Sequence, residues 1–179
     1  MNDDRSPSDR RTKESDDAKM RMLAATAFHE AGHAVMALSL GRSVEKLTIV
    51  PGQLQFGGTR LGVCKMQKGR GNRSKDRMEE DVLVLLAGMV AEARLTGSYS
   101  HAGAGEDLRT VQRLLESRSA SQRQIDKWQR RLLNKTEHLL ADDANSKAVE
   151  SIAAELLEKN TISGRAARHI YHQTQQQYS

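Results

Sequence analysis

Residues Phe28–Val35 read FHEAGHAV. His29 and His33 stand four residues apart, Glu30 follows the first of them, and Gly32 interrupts a stretch that otherwise reads as helix. Met20, Leu23, Ala24, Ala27, Ala31, Ala34, Val35 and Leu38 recur at helical spacing around it, predicting an amphipathic helix from Asp17 to Leu40 that Gly41 closes. On a helix, residues i and i+4 share a face one turn apart. His29 and His33 are thus spaced as two imidazoles sharing one metal ion must be, and Glu30 projects beside them. A carboxylate there can take a proton from water activated by the metal without itself being a ligand, which is the mechanical content of the H-E-x-x-H pattern. The competing reading is an ordinary helix with three polar residues. Gly32 argues against it, because a mid-helix glycine costs about 1 kcal/mol relative to alanine and makes sense only where something approaches the backbone closely.

A catalytic zinc takes three protein ligands and leaves one position open. Asp107, in AGAGEDLRTVQRLL, falls in the first turn of a predicted helix after a glycine-rich connection, and Glu106 competes with it directly. Acidic residues also gather at such positions because the helix dipole favours them. Glu92, in LLAGMVAEARL, is a further candidate, either as ligand or as a partner that orients a ligand histidine. His101 is a loop histidine that could ligate but reads more simply as polar surface. His169 and His172, three apart near the C-terminus, and His138 read as solvated helix surface.

Composition narrows the class. The chain has 179 residues with a net charge of +5, which suits one domain, and only 3% aromatic residues, so aliphatic side chains and methionine must build the core. The single cysteine, Cys64, excludes an internal disulfide and reads as a small buried apolar residue in a reducing, cytoplasmic setting. No apolar run reaches the ~18 residues of a membrane span. Basic residues at Arg118, Arg123, Lys127, Arg130 and Arg131 raise a nucleic-acid reading, but the lack of interleaved aromatics and the spread of acidic residues argue against it.

The pattern divides into a charged, disordered tail over residues 1–17 and one folded domain over 18–175. Val44–Pro51 and a run through Leu61, Val63 and Met66 predict a small two- or three-stranded sheet, with a turn at Gly57–Gly58 and a basic loop, KGRGNRSK, after it. Helices follow over 75–95, through Leu108–Leu115, Ile125–Leu139 and Val149–Leu157, and a last short helix begins after a turn capped by Ser163. The expectation is a mainly α domain with a small β-sheet or hairpin near the active site.

Taken together, TAFHEAGHAV, VEKLTIVP, LGV, VLLAGMVAEA, GAGEDLRTVQ and ELLEKNTISG resemble, in order and spacing, the peptidase domain of FtsH-type zinc metalloproteases, over about residues 20–170. The resemblance implies that His29, His33 and Asp107 bind Zn2+, that Glu30 is the catalytic base, and that Glu92 supports a ligand from outside the coordination sphere. It implies endopeptidase activity on polypeptides and a ring of six copies. This chain departs from the family pattern at Gly105 and Glu106, where the family has serine and asparagine, and at Ala87–Met89, where it has G-G-R. It contains no G-x-x-x-x-G-K-[ST] loop and no room for an ATPase, so the expectation is ATP-independent cleavage of unfolded or flexible chains, or delivery by a separate ATPase or adaptor. A non-catalytic polypeptide-binding adaptor on the same scaffold is the alternative, against which the intact Glu30 speaks.

Overall fold

The structure is a computed structural model and describes residues 7–53, 59–66, 75–101, 103–118 and 121–178. It runs α1 (Pro7–Ser39), β1 (Val44–Thr48), β2 (Gly52–Gln53), β3 (Thr59–Arg60), β4 (Val63–Met66), α2 (Lys75–Thr96), α3 (Gly105–Glu116), α4 (Gln122–Ala141), α5 (Asp143–Lys159), β5 (Thr161–Ser163) and α6 (Gly164–Tyr178). The fold is mainly α with a small antiparallel sheet, as the sequence pattern implies. The Gly57–Gly58 turn and most of the basic loop lie outside the described residues.

Helix α1 is the axis of the domain. Its Ala27, Ala31, Ala34 and Val35 are fully buried, and α2 and α5 pack against it. Small residues at these positions let neighbouring helices come close. The larger side chains that fill the core come from the partners, among them Leu83 and Leu86 on α2 and Ile152 and Leu156 on α5. Each such burial stabilises by roughly 1.5–3 kcal/mol. The helix ends at a left-handed Gly41, with the Arg42 and Gly41 amides donating to the carbonyls of Ala37 and Leu38.

Two differences from the sequence reading have plain causes. Helix α1 begins at Pro7, inside the stretch 1–17 expected to be tail. Proline is favoured in a first helical turn, and the charged residues after it include no further proline and no glycine to stop the helix. At the other end, Thr161–Ser163 is not a simple turn but a strand, and α6 after it runs 15 residues rather than forming a short helix. Strand β5 pairs antiparallel with β1 (Lys46 with Ser163, Thr48 with Thr161), and β4 pairs with the other edge of β1, giving the order β4-β1-β5. Strands β2 and β3 form a separate two-stranded ladder. Among the described residues, no helix is long and apolar enough to cross a membrane.

The sheet is tied to α6 by a contact that admits no side chain. Ser163 caps α6 by accepting a hydrogen bond from the Ala166 amide at 3.2 Å, and Gly164 then sits directly on β1. A Cβ on Gly164 would lie 1.8 Å from the Val44 carbonyl oxygen, which is backbone and cannot swing away. Gly164→Ala must therefore pry α6 from β1. Overpacking of this kind costs about 1–3 kcal/mol or more, which for a chain of this size lowers Tm by roughly 2–12 °C. A melting curve that superimposes on that of the unchanged protein would contradict the close contact.

Candidate metal centre

His29, Glu30 and His33 are all buried, at 9%, 6% and 7% exposure, although helix α1 emerges into solvent only a few residues earlier. Burying this much polarity is costly unless every group is partnered. The partners come from α2 and α3. His33 donates from Nδ1 to the Val84 carbonyl at 2.7 Å, and His29 donates from Nδ1 to the Glu92 carboxylate at 3.0 Å. With each Nδ1 so occupied, Nε2 is the atom each ring presents to a partner, and both Nε2 atoms turn toward Asp107. The rings meet edge to face, with centroids 4.7 Å apart.

Asp107 closes the cluster. Helix α2 ends at a left-handed Gly97, and a short loop, held by the Ala104 amide on the Ser100 carbonyl, brings the first turn of α3 back over α1. Glu106 and Asp107 both stand in that turn, where the helix dipole favours carboxylates. Glu106 points into solvent, whereas Asp107 Oδ2 lies 3.2 Å from His29 Nε2 and 3.2 Å from His33 Nε2. Burial opposes charge on His29, but the hydrogen bonds to Asp107 and Glu92 and the nearby Glu30 outweigh it and raise its pKa to about 9. Burial likewise pushes the Asp107 carboxyl up, and the two imidazoles override it, holding the group well below the usual carboxylate range.

One donor atom from each of His29, His33 and Asp107 lies within 4.8 Å of the others. A tetrahedral zinc with bonds of ~2.0–2.1 Å separates its ligand atoms by roughly 3.3–3.4 Å, close to the two nitrogen-to-oxygen distances observed. Two imidazoles and a carboxylate are a borderline-soft donor set that suits zinc, and three protein ligands leave a position open. The residues therefore fit a zinc ion. Glu92 stands outside the donor set, against His29 Nδ1. His101 is exposed and no part of the cluster.

The sheet supplies the remaining wall. Gly62, at the entry to β4, packs so tightly on Glu30 that a Cβ there would lie 2.6 Å from Glu30 Oε1 and 2.9 Å from Thr26 Cγ2. Cys64 on β4 is near enough for Glu30 and Asp107 to act on it. Burial first, and then those two charges, push its thiol well above its ordinary value, which disfavours the reactive thiolate. In the order β4-β1-β5, β4 is an outer strand of this sheet among the described residues, and Gly62 just before it lies beside Glu30. Of His138, His169 and His172, all are exposed, as solvated surface requires.

Sequence reasoning did not reach Val84, Gly62 or Gly88. Val84 acts through its carbonyl, which no side-chain pattern reveals. The two glycines act through what they lack; the argument from the cost of a mid-helix glycine, which singles out Gly32, applies equally to Gly88.

Comparison with known proteins gives the family. The family model described as Peptidase family M41 matches residues 17–121, more than half of the chain. An ATP-dependent zinc metalloprotease FtsH of Protochlamydia amoebophila is 33% identical over 111 residues, covering 61% of this chain and 11% of that protein. One from Metamycoplasma arthritidis is 36% identical over 94 residues, 51% of this chain and 12% of that protein. One from Magnetococcus marinus is 36% identical over 87 residues, 46% of this chain and 12% of that protein. The chain thus spans only about a tenth of the length of these relatives. With the H-E-x-x-H helix, the approaching Asp107 and the family match over the same segment, the chain belongs to peptidase family M41, the family of the FtsH-type zinc metalloproteases.

Proposed function

We propose that this chain is a zinc-dependent endopeptidase, with the ion held by His29, His33 and Asp107 and with Glu30 as the base. The observation that carries the reading is the convergence of the two Nε2 atoms and Asp107 Oδ2, with the buried Glu30 on the same helix. Zinc at such a site supplies Lewis acidity, making a water more acidic and polarising a scissile carbonyl. The protein's own groups do the rest. Glu92 and the Val84 carbonyl fix the two rings by Nδ1, leaving His29 Nε2 and His33 Nε2 as the atoms that would hold the ion. The Gly62 backbone lies close against the Glu30 side chain. Glu30 accepts the proton of the attacking water and returns it to the leaving amine as the C–N bond breaks.

Substrate enters, in this reading, as an extended chain paired to the outer edge of β4. Main-chain hydrogen bonds would hold it, which gives broad sequence tolerance and favours unfolded or flexible polypeptides. Hydrolysis of this kind draws on no nucleotide. The same reading takes the protein to be cytoplasmic, with a reduced Cys64, and to form a ring of six copies. Delivery of substrate by a separate ATPase or adaptor is compatible with it.

Three outcomes follow. Glu30→Gln should keep about one zinc per chain and lose casein cleavage by a factor of ~100 or more, because this residue moves the proton and does not hold the ion. A wild type that holds zinc but cuts no unfolded substrate would favour a non-catalytic adaptor instead. Glu92→Ala should weaken zinc binding about 10- to 100-fold without emptying the site at saturating metal, while Asp107→Ala should empty it; the reverse ranking in a metal titration would exchange their roles. Finally, zinc at a hundred times its Kd should stabilise the fold by about 2.7 kcal/mol, a rise in Tm of roughly 5–11 °C, and a chelator should reverse it. A Tm indifferent to zinc would contradict binding across α1 and α3.

A further inference from the structure

Helices α1 and α2 interlock through one glycine each. Gly32 of α1 faces α2, where a Cβ would lie 2.5 Å from the Ala87 carbonyl oxygen and 2.6 Å from the Ala91 methyl. Gly88 of α2 faces back. A Cβ on Gly88 would lie 2.6 Å from His29 Nε2, 2.5 Å from His33 Nε2 and 2.6 Å from His33 Cε1. These are the two nitrogens that the metalloprotease reading assigns to the ion. Ordinary contact to a carbon begins near ~3.5 Å, so a single methyl group would intrude on both rings by about an ångström. The rings have no room to yield, because His29 is tied to Glu92 and His33 to Val84 by their opposite nitrogens, and both are buried. Val84 and Gly88 are on the same helix, one turn apart. The helix that grips His33 by a carbonyl is therefore the helix that must leave the space at its other nitrogen empty.

We propose that Gly88 is a positioning residue for the metal: its bare backbone forms the floor of the seat between the two Nε2 atoms, and any side chain there excludes the ion while leaving the helices able to form. The neighbouring residues can change without this consequence. Ala87 contributes only its carbonyl to the contact with Gly32, and Met89 turns into the core at 4% exposure. Only the middle position of the Ala87–Met89 segment faces the imidazoles. Alanine also favours a helix over glycine, so the substitution does not weaken α2 through propensity.

The inference rests on the metalloprotease reading, and the test separates the two. Wild type and Gly88→Ala are incubated with zinc, freed of excess metal and analysed for bound zinc by mass spectrometry, with far-ultraviolet circular dichroism on the same samples. The expected result is about one zinc per chain in wild type and a loss of ~100-fold or more in affinity for Gly88→Ala, with the helical spectrum retained. Zinc bound equally well by both overturns this proposal and leaves the metalloprotease reading standing. Zinc absent from wild type overturns both. Should Gly88→Ala fail to fold, the same substitution is placed in a His29→Ala, His33→Ala background, where no imidazole opposes the methyl group. Recovery of the helical spectrum there supports the proposal; continued failure assigns Gly88 to helix packing and overturns it.

Discussion

Where α1 passes α2, the Ala87 carbonyl and the Ala91 methyl fill the space that a side chain on Gly32 would need. That approach determines most of what the site can be. It brings the Val84 carbonyl within hydrogen-bonding distance of His33 and Glu92 within reach of His29. Wider separation would leave both Nδ1 atoms buried without these acceptors, which is costly, and would free the rings to rotate. A buried imidazole with one nitrogen fixed has its other nitrogen aimed, and two such rings one helical turn apart share an aim. Asp107 then has a single place to go. The α2–α3 loop delivers it there, and the dipole of α3 favours its charge.

The cluster concentrates charge where the fold is otherwise apolar. His29, Glu30, His33 and Glu92 are each exposed by 9% or less, and they sit among fully buried alanines and valines of α1 and α2. Such an arrangement does not serve stability well, since apolar residues of similar volume could fill the same space without desolvating charges. Without an ion, Asp107 and Glu92 draw a proton onto His29 and the imidazoles hold the Asp107 carboxyl ionised; a cation bound among them would take the place of that proton. The sheet has a related role. Its order places β1 in the middle, joined to α6 through the Gly164 contact, and so presents β4 to the active-site side as an edge.

Much of this was legible in the residues because it is local. The i, i+4 histidines, the glycine between them, the apolar face of α1 and the first-turn position of Asp107 all follow from helix geometry. The expectation of a mainly α domain with a small sheet beside the site agrees with the structure. What was not legible is what requires two distant segments to be seen together. Strand β5 is three residues long and pairs with β1 across more than a hundred residues, so no local pattern announces it. The start of α1 was missed for a different reason. A charged segment without apolar periodicity reads as tail, and helical propensity after Pro7 is the weaker signal. Between Asp107, Glu106 and Glu92, spacing alone left the choice of third ligand open. It takes the α2–α3 loop to bring Asp107 to both rings and turn Glu106 to solvent, and the packing of α2 on α1 to place Glu92 behind His29.

The central claim is that one zinc ion is held by two imidazoles and a carboxylate drawn from α1 and α3. X-ray absorption at the zinc edge reports it most directly. The account predicts nitrogen and oxygen neighbours at about 2.0–2.1 Å, with the multiple-scattering signature of two imidazole rings and no sulfur. A sulfur neighbour at about 2.3 Å would place Cys64 on the metal, and a shell of water oxygens without imidazole would mean the ion is not at this site; either result would contradict the account.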